Sequence, residues 1–461
     1  MAGEPAGDVV LKKRIWGWYF FDWASQPYNT LLLTFVFGPY FAEVARAHYA
    51  ATGLDAEAAG AAAQTYWGIG QTISGLIIAL AAPMLGALAD SSGKRMSWIW
   101  LFSAFYVVGA WGLWFLMPDA PNLLMALVFF SIGLIGMELA TIFTNSMMPD
   151  LTHDGDMGKV SGFGFAFGYL GGILALIIML LFFAENGKTG LTLIKIEPLF
   201  GLDPALREGT RAVGPFSALW YIIFMIPFFL WVREPKRMGS GLSFSRAMRD
   251  LGILLKSLKQ RTSLGAHLLS SMLYRDSLNA LYAFGGVYAS GVLKWSITSI
   301  GIFGIAGAIS AAAATWIGGK FDSARGPKPL MTLSMWVLIA VCCVIAGMSR
   351  ESIFGLPFAP GSTAPDIIFY ACGILIGAAG GTLQSSSRTM MVFHTTPERA
   401  TEAFGLYALS GKATAFIAPF FITVFTAALG SQRLGISLPL IVLFIIGLIV
   451  LKWVKPKGER V

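Results

Sequence analysis

The chain reads as an all-α integral membrane protein: twelve transmembrane helices in two six-helix pseudo-repeat bundles, with both termini cytoplasmic. Composition, charge distribution and internal duplication predict this. Of 461 residues, 56% are hydrophobic and 13% charged, and mean hydropathy is +0.68, whereas water-soluble domains carry about a quarter charged residues. Lys and Arg exceed Asp and Glu, 33 to 25, for a net charge of +8. They lie in short clusters between apolar runs instead of along one stripe, so they report topology and not a nucleic-acid partner.

About twenty apolar residues cross the hydrocarbon core, and twelve segments qualify, at approximately 16–46, 66–88, 98–117, 122–148, 158–184, 214–232, 263–290, 296–318, 329–348, 365–387, 400–430 and 434–454. Lys12, Lys13 and Arg14 precede segment 1, Lys94 and Arg95 follow segment 2, Lys320, Arg325 and Lys328 follow segment 8, and Lys452, Lys455, Lys457 and Arg460 follow segment 12. By the positive-inside rule these ends are cytoplasmic. The polar start MAGEPAGDVVLKKR runs into a long helix with no small-residue cleavage site, so segment 1 is expected to be its own insertion signal. Cys342, Cys343 and Cys372 lie in apolar runs and are expected to pack, not to pair.

These limits divide the chain into a cytoplasmic tail (1–15), an N-terminal bundle (16–232), a basic linker (233–262), a C-terminal bundle (263–454) and a second tail (455–461). In the linker, Phe244, Met248, Leu251, Leu255 and Leu258 recur on one helical face among basic residues, the pattern of a helix lying on the inner leaflet, with a solvated linker as the alternative. The bundles look like repeats. Asp22 precedes Tyr28 in segment 1 as Asp276 precedes Tyr282 in segment 7, and Gly86-x-x-x-Asp90 after segment 2 matches Gly318-x-x-x-Asp322 after segment 8.

Two six-helix halves joined by a long cytoplasmic linker resemble the major facilitator superfamily, which places its substrate site between the halves near the bilayer midplane. Gly86-Ala-Leu-Ala-Asp90-Ser-Ser-Gly93-Lys94-Arg95 is similar to that superfamily's motif G-x-L-A-D-x-x-G-[RK]-[RK]. Its glycines permit close helix approach, and Asp90 can accept hydrogen bonds from a neighbouring helix N-terminus, forming a conformational latch. The copy at Asp322 has one extra residue before Gly326. Four further stretches, Phe21-Asp-Trp-Ala-Ser-Gln-Pro-Tyr-Asn-Thr30, Ser161 to Gly172, Gln384-Ser-Ser-Ser-Arg-Thr389 and Glu402 to Lys412, resemble the branch related to the autophagy-linked vacuole effluxer of yeast and its bacterial "unknown major facilitator" cousins. That resemblance implies a secondary transporter, with amino-acid export from the vacuole as the familiar activity of the branch. Ser25, Gln26 and Pro27 depart from the branch's usual Asn-Ser-Ala.

Asp22, Gln26 and Asn29 fall at i, i+4 and i+7 on one helical face, beside Pro27. An ionised Asp at a helix centre costs about 2.5–3.5 kcal/mol on insertion scales, so that face is expected to line a wet cavity. The same holds for Glu138 and Asn145 on segment 4, Arg275, Asp276 and Asn279 on segment 7, Gln384 and Arg388 on segment 10, and Lys412 on segment 11. Asp22 or Glu138 is the candidate carrier of a coupling proton, while Arg275, Arg388 or Lys412 would hold an anionic group of the substrate. The competing reading makes these groups structural, with Asp276 paired to Lys412 and Arg388 snorkelling to headgroups. The glycines of segment 5 fit either a flexing gate or close helix packing, with packing preferred.

No phosphate loop, calcium loop or nucleophile–base–oxyanion set can be assembled, and His48, His153, His267 and His394 show no metal-ligand spacing. The expected function is alternating-access transport of a small polar solute, an amino acid or related zwitterion, with proton coupling, by a monomer in the cell (inner) membrane. No enzyme activity, cofactor, metal or nucleic-acid partner is expected. The alternatives are a proton-linked efflux pump for amphiphilic compounds and a non-transporting sensor or lipid-acting protein.

Overall fold

The computed structural model describes residues 6–92, 94–151, 154–187, 189–234, 249, 252–253, 256, 258, 260–293, 295, 297–412 and 417–459. The linker helix expected around Phe244–Leu258 falls largely outside the described residues, as does Gly93.

All twelve segments are helical. Segment 1 is an α-helix (Ala6–Pro27), a π-helical stretch (Tyr28–Phe35) and a second α-helix (Phe37–Ala51). Segments 2 to 6 are Ala56–Ser92, Arg95–Gly112, Leu123–Ser146, Met157–Phe182 and Val213–Trp231. Segments 7 to 10 are Thr262–Gly291, Ile297–Arg325, Pro327–Gly347 and Ala364–Phe393. Segment 11 has two helices, Ala400–Lys412 and Ile417–Leu429, and segment 12 is Gln432–Leu451. A two-stranded antiparallel hairpin, Ser352–Ile353 with Leu356–Pro357, lies between segments 9 and 10. Among the described residues nine helices, in segments 2–6, 8–10 and 12, are long and apolar enough to cross a membrane. Segment 1 is subdivided by its π-helical stretch, and segment 7 carries Arg275 and Asp276 within its span; residues 413–416 of segment 11 lie outside the described residues.

Helices satisfy their own backbone groups, which hydrocarbon cannot do for them. Apolar side chains accordingly face outward in stripes, Ile69, Ile73, Leu76 and Leu80 on segment 2 and Leu219, Ile222, Ile223, Ile226 and Leu230 on segment 6. The chain divides into two compact units. The first comprises Met1–Ala81, Ser92–Thr144 and Phe167–Gly239, and the second Ala82–Ser91, Asn145–Ala166 and Ser240–Val461.

In the first unit, Pro27 has no N–H, which leaves the carbonyl of Trp23 without its helical donor. The Trp220 indole N–H of segment 6 fills that role at 3.2 Å, and the π-helix begins at the next residue. Segments 1, 3, 4 and 6 meet around buried tyrosines. The Tyr28 hydroxyl donates to the Phe130 carbonyl at 2.6 Å, the rings of Tyr106 and Tyr221 stack at 4.0 Å, and Tyr221 Oη lies 2.8 Å from Ser103 Oγ. In the second unit the core joins segments 7, 9, 10 and 12 through Leu278, Met331, Met335, Leu338, Leu383, Leu440 and Phe444. Cys342 and Cys372 are buried, Cys343 is exposed, and all three are free.

Candidate functional site

In the first unit, segments 1 and 4 lie side by side. The Trp18 indole donates to the Thr144 carbonyl at 2.8 Å, and Asn29 Nδ2 reaches Met137 Sδ at 4.0 Å. These contacts bracket Asp22 and Glu138, so both acids fall on the same stretch of the contact, half-buried with Gln26 and Asn29. Segment 5 presents its glycines to this stretch. A Cβ on Gly168 would stand 3.2 Å from Asp22 Cβ, one on Gly171 2.9 Å from the Trp23 carbonyl oxygen, and one on Gly172 2.7 Å from Gln26 Cγ and 2.5 Å from Thr30 Oγ1. These glycines pack segment 5 onto the polar stripe of segment 1.

In the second unit, Arg388 is 3% exposed. It is buried and does not snorkel. Its Nε donates to Ser161 Oγ at 3.0 Å, Nη2 to the Ser161 carbonyl at 2.6 Å and Nη1 to Asn145 Oδ1 at 3.2 Å. The guanidinium also sits 4.1 Å from the centroid of Phe165. Ser161 Oγ in turn donates to the Ser385 carbonyl at 2.9 Å. Sequence reasoning named Asn145 and Arg388 but missed Ser161 and Phe165, although both stand in the glycine-rich stretch it singled out.

Arg275 is half-buried, donates to the Tyr407 carbonyl at 2.9 Å and lies 4.5 Å over the Tyr407 ring. Gly411 makes room for it, since a Cβ there would stand 2.4 Å from its Cζ. Ser387 Oγ links the hydroxyl of Tyr407, at 2.6 Å, to that of Tyr274. Asp276 is buried and accepts the Ala418 N–H at 2.8 Å, which ties segment 7 to segment 11. The Lys412 side chain, the partner expected for Asp276, lies outside the described residues. Asn279 is exposed, and Gln384 Nε2 donates to the Gly380 carbonyl at 3.4 Å.

Asp90 is bound as its motif suggests it can be. Its carboxylate accepts the Thr401 N–H at 3.3 Å and the Glu402 N–H at 2.8 Å, capping the first helix of segment 11. Gly86 allows the approach, since a Cβ there would stand 2.6 Å from the Thr401 carbonyl oxygen, and Gly405 answers from the other side, 2.6 Å from that of Ala82. Thr401 Oγ1 also donates to Ser146 Oγ at 3.0 Å. The copy after segment 8 sits beside the start of segment 5 in a related way, with a changed donor–acceptor pattern. Ser323 Oγ, next to Asp322, accepts the Lys159 N–H at 2.9 Å. A Cβ on Gly158 would stand 2.5 Å from Asp322 Cβ, and one on Gly162 2.6 Å from Gly319 Cα. Asp322 is buried, and its oxygens meet no hydrogen-bond geometry among the described residues. In the first unit, Lys94 is exposed and Arg95 buried, and the Arg95 and Met96 N–H groups donate to the Glu234 carboxylate at 2.8 and 3.1 Å.

Two histidines that looked scattered in sequence come together. His267 and His394 stack at 5.5 Å, with Tyr407 on His267 at 5.8 Å. His394 lies just past segment 10. Its Nδ1 donates to the Met390 carbonyl at 2.8 Å, so Nε2 accepts from Ser263 Oγ at 2.7 Å. Ser263 Oγ accepts the Lys455 N–H at 2.8 Å, and Lys328 Nζ reaches the Val454 carbonyl at 2.6 Å, tying the C-terminal tail to segments 7 and 9. Burial pulls the His394 imidazole below its usual 6.5. The Glu459 carboxyl sits below its usual 4.5 through its hydrogen bond to Lys455.

This fold is that of a major facilitator superfamily transporter, a multi-pass integral membrane protein. It resembles the human organic anion transporter MFSD10 (TM-score 0.70, 14% identity, covering 97% of this chain and 100% of that one) and the proton:xylose symporter XylE (0.69, 12%, 98% of each chain). Residues 11–460 match the family model "Vacuole effluxer Atg22 like", and the chain belongs to that family. An uncharacterized MFS-type transporter, YxiO, of Bacillus subtilis is 25% identical over 440 residues, 95% of this chain and 94% of that protein. Autophagy-related protein 22-1 of Aspergillus clavatus is 25% identical over 295 residues, 60% of this chain and 46% of that protein.

Proposed function

We propose that this transporter moves a small zwitterionic solute, an amino acid or close relative, by proton-coupled alternating access in the cell membrane, as a monomer, with twelve crossings, both termini cytoplasmic and no enzymatic step. The observation that carries this reading is the placement of Asp22 and Glu138 along one half-buried contact, with Gln26 and Asn29 as neutral hydrogen-bonding groups. Carboxylates kept in a membrane bundle are costly and belong to ion or proton paths. In this reading Asp22 or Glu138 exchanges the coupling proton and faces the solute's amine. Arg275, Arg388 or Lys412 is the candidate cation for an anionic group of the solute, and Asp276 serves the fold by holding the Ala418 N–H. Asp90 and Asp322, with the glycines beside them, form the latch that favours one access state.

The test is solute-induced proton flux in proteoliposomes containing a pH dye, with a panel of amino acids and of amphiphilic cations, comparing wild type with Asp22→Asn and Glu138→Gln. Flux evoked by an amino-acid class and abolished by one of these substitutions supports the reading. Flux evoked by amphiphilic cations selects the efflux alternative. Amino-acid-evoked flux untouched by both substitutions removes Asp22 and Glu138 from the proton path.

A further inference from the structure

The described residues of the connection between segments 5 and 6, 183–187 and 189–212, form a folded element. Glu185, 4% exposed, accepts from Arg207 Nε at 2.9 Å, from Thr210 Oγ1 at 2.7 Å and from Thr210 N–H at 3.0 Å. Arg207 also reaches Glu43 at 2.8 Å. Arg211 is buried against the Trp114 ring at 4.7 Å and donates to the Trp114 carbonyl at 2.9 Å. This anchoring holds up an apolar tip: Leu193 is 68% and Phe200 86% exposed, and Ile194, Ile196 and Leu199 are exposed with them. Phe200 keeps a left-handed backbone, φ 65°, which a bulky residue rarely adopts.

Five outward apolar side chains within eight residues, on a connection held by the Glu185–Arg207 ion pair and the buried Arg211, form a surface made for an apolar partner. The tip's position identifies that partner. The Leu193 N–H donates to the Leu180 carbonyl at 3.1 Å, so the chain folds back onto the last turns of segment 5. The outward stripe of that helix, Leu170, Leu174 and Ile177, is exposed, and in a membrane-spanning helix an exposed apolar stripe is suited to lipid. The tip extends that stripe. Lys195 and Glu197, exposed between the apolar residues, have stems long enough to lie on apolar surface while their charges reach water.

We propose that Leu193, Ile194, Ile196, Leu199 and Phe200 form a wedge seated in the headgroup–acyl boundary of the bilayer, making this connection a lipid-contact surface of the first unit. Such interfacial burial of an apolar face beside charged groups follows the physics of amphipathic elements that lie in the membrane plane.

The test is nitroxide accessibility in phosphatidylcholine–phosphatidylglycerol nanodiscs. Single cysteines at Phe200 and Leu193 are introduced where Cys342, Cys343 and Cys372 are replaced by Ala, with Leu174→Cys as lipid reference and Asp203→Cys as aqueous reference. The wedge predicts that labels at both positions are relaxed by oxygen and shielded from a water-soluble nickel chelate, at least fivefold relative to the Asp203 label. Chelate access at either position equal to the Asp203 label overturns it. Shielding from both reagents overturns it too, because the tip is then covered by protein, a second copy of this chain included.

Discussion

Replacing Asp90 with Ala tests the contact between segments 2 and 11 directly. The substitution removes a charged acceptor that holds two backbone N–H groups, of Thr401 and Glu402, at 3.3 and 2.8 Å. Loss of an acceptor of this kind at a helix N-terminus costs about 1–2 kcal/mol, and that shifts an equilibrium by a factor of about 5–30. Asn keeps an acceptor oxygen and loses the charge, about 0.3–1 kcal/mol, or roughly two- to fivefold. Ser146→Cys is a suitable reporter, since Ser146 is buried against Thr401, whose Oγ1 donates to it at 3.0 Å. With the native cysteines replaced by Ala, the rate of maleimide labelling at the introduced thiol reads the fraction of molecules in which this region opens. The expected order is Asp90→Ala above Asp90→Asn above the parent, with the first about 5–30 times the parent. Equal rates in all three would refute the idea that Asp90 holds these segments together.

Gly162→Val forces a Cβ to 2.4 Å from the Thr315 carbonyl oxygen. It should destabilise the protein by about 1–3 kcal/mol, seen as a lower Tm in detergent, whereas Gly75→Ala, inside a helix with nothing within 4 Å, should hold or raise Tm. Arg388→Lys keeps the charge and loses the fork that bonds Ser161 and Asn145. Hydrogen bonds to a charged group contribute about 1.5–3 kcal/mol each, so a clear drop in Tm is expected, and an unchanged Tm would exclude a structural role for the fork. Because His394 is held below 6.5 when folded, the unfolded chain binds more protons under that pH, and stability should fall as pH drops through about 6.5. Glu459 acts lower: its contribution is present above its ordinary 4.5 and is lost as pH falls through its depressed folded value. Between pH 7.5 and 5.5 the loss of Tm should therefore be smaller in His394→Asn than in wild type.

The helices were legible because apolar length and basic flanks are local properties, and the twelve segments fall on helices, although segments 1 and 2 begin at Ala6 and Ala56, before the apolar runs, and segments 8 and 10 run on to Arg325 and Phe393, because polar turns continue a helix outside the hydrocarbon core. Subdivision was less legible. Segment 1 extends from Ala6 to Ala51 and turns π-helical after Pro27, which depends on Trp220 supplying the missing donor from 197 residues away. The connection between segments 5 and 6 was overlooked because its polar residues, Glu185, Arg207 and Arg211, show their ordering only once paired. At the site, the capacity of Asp90 to accept a helix N-terminus could be read from its motif, whereas Thr401 and Glu402 as its donors could not. Asp276 and Arg388 stood out as costly groups in an apolar chain. Their partners, the Ala418 N–H and the Ser161 hydroxyl and carbonyl, are a backbone group and an unremarkable serine. The stacking of His267 on His394, 127 positions away, leaves no spacing signal in either neighbourhood.

The central claim, that the chain carries zwitterionic solutes, is tested most directly by counterflow of radiolabelled amino acids in proteoliposomes, which reads solute exchange whatever ion drives it. The account predicts a transient accumulation of label when liposomes are preloaded with the matching unlabelled amino acid, lost in Asp22→Asn or Glu138→Gln and absent from protein-free liposomes. No counterflow with any amino acid, from protein that still shows the wild-type Tm, would contradict it.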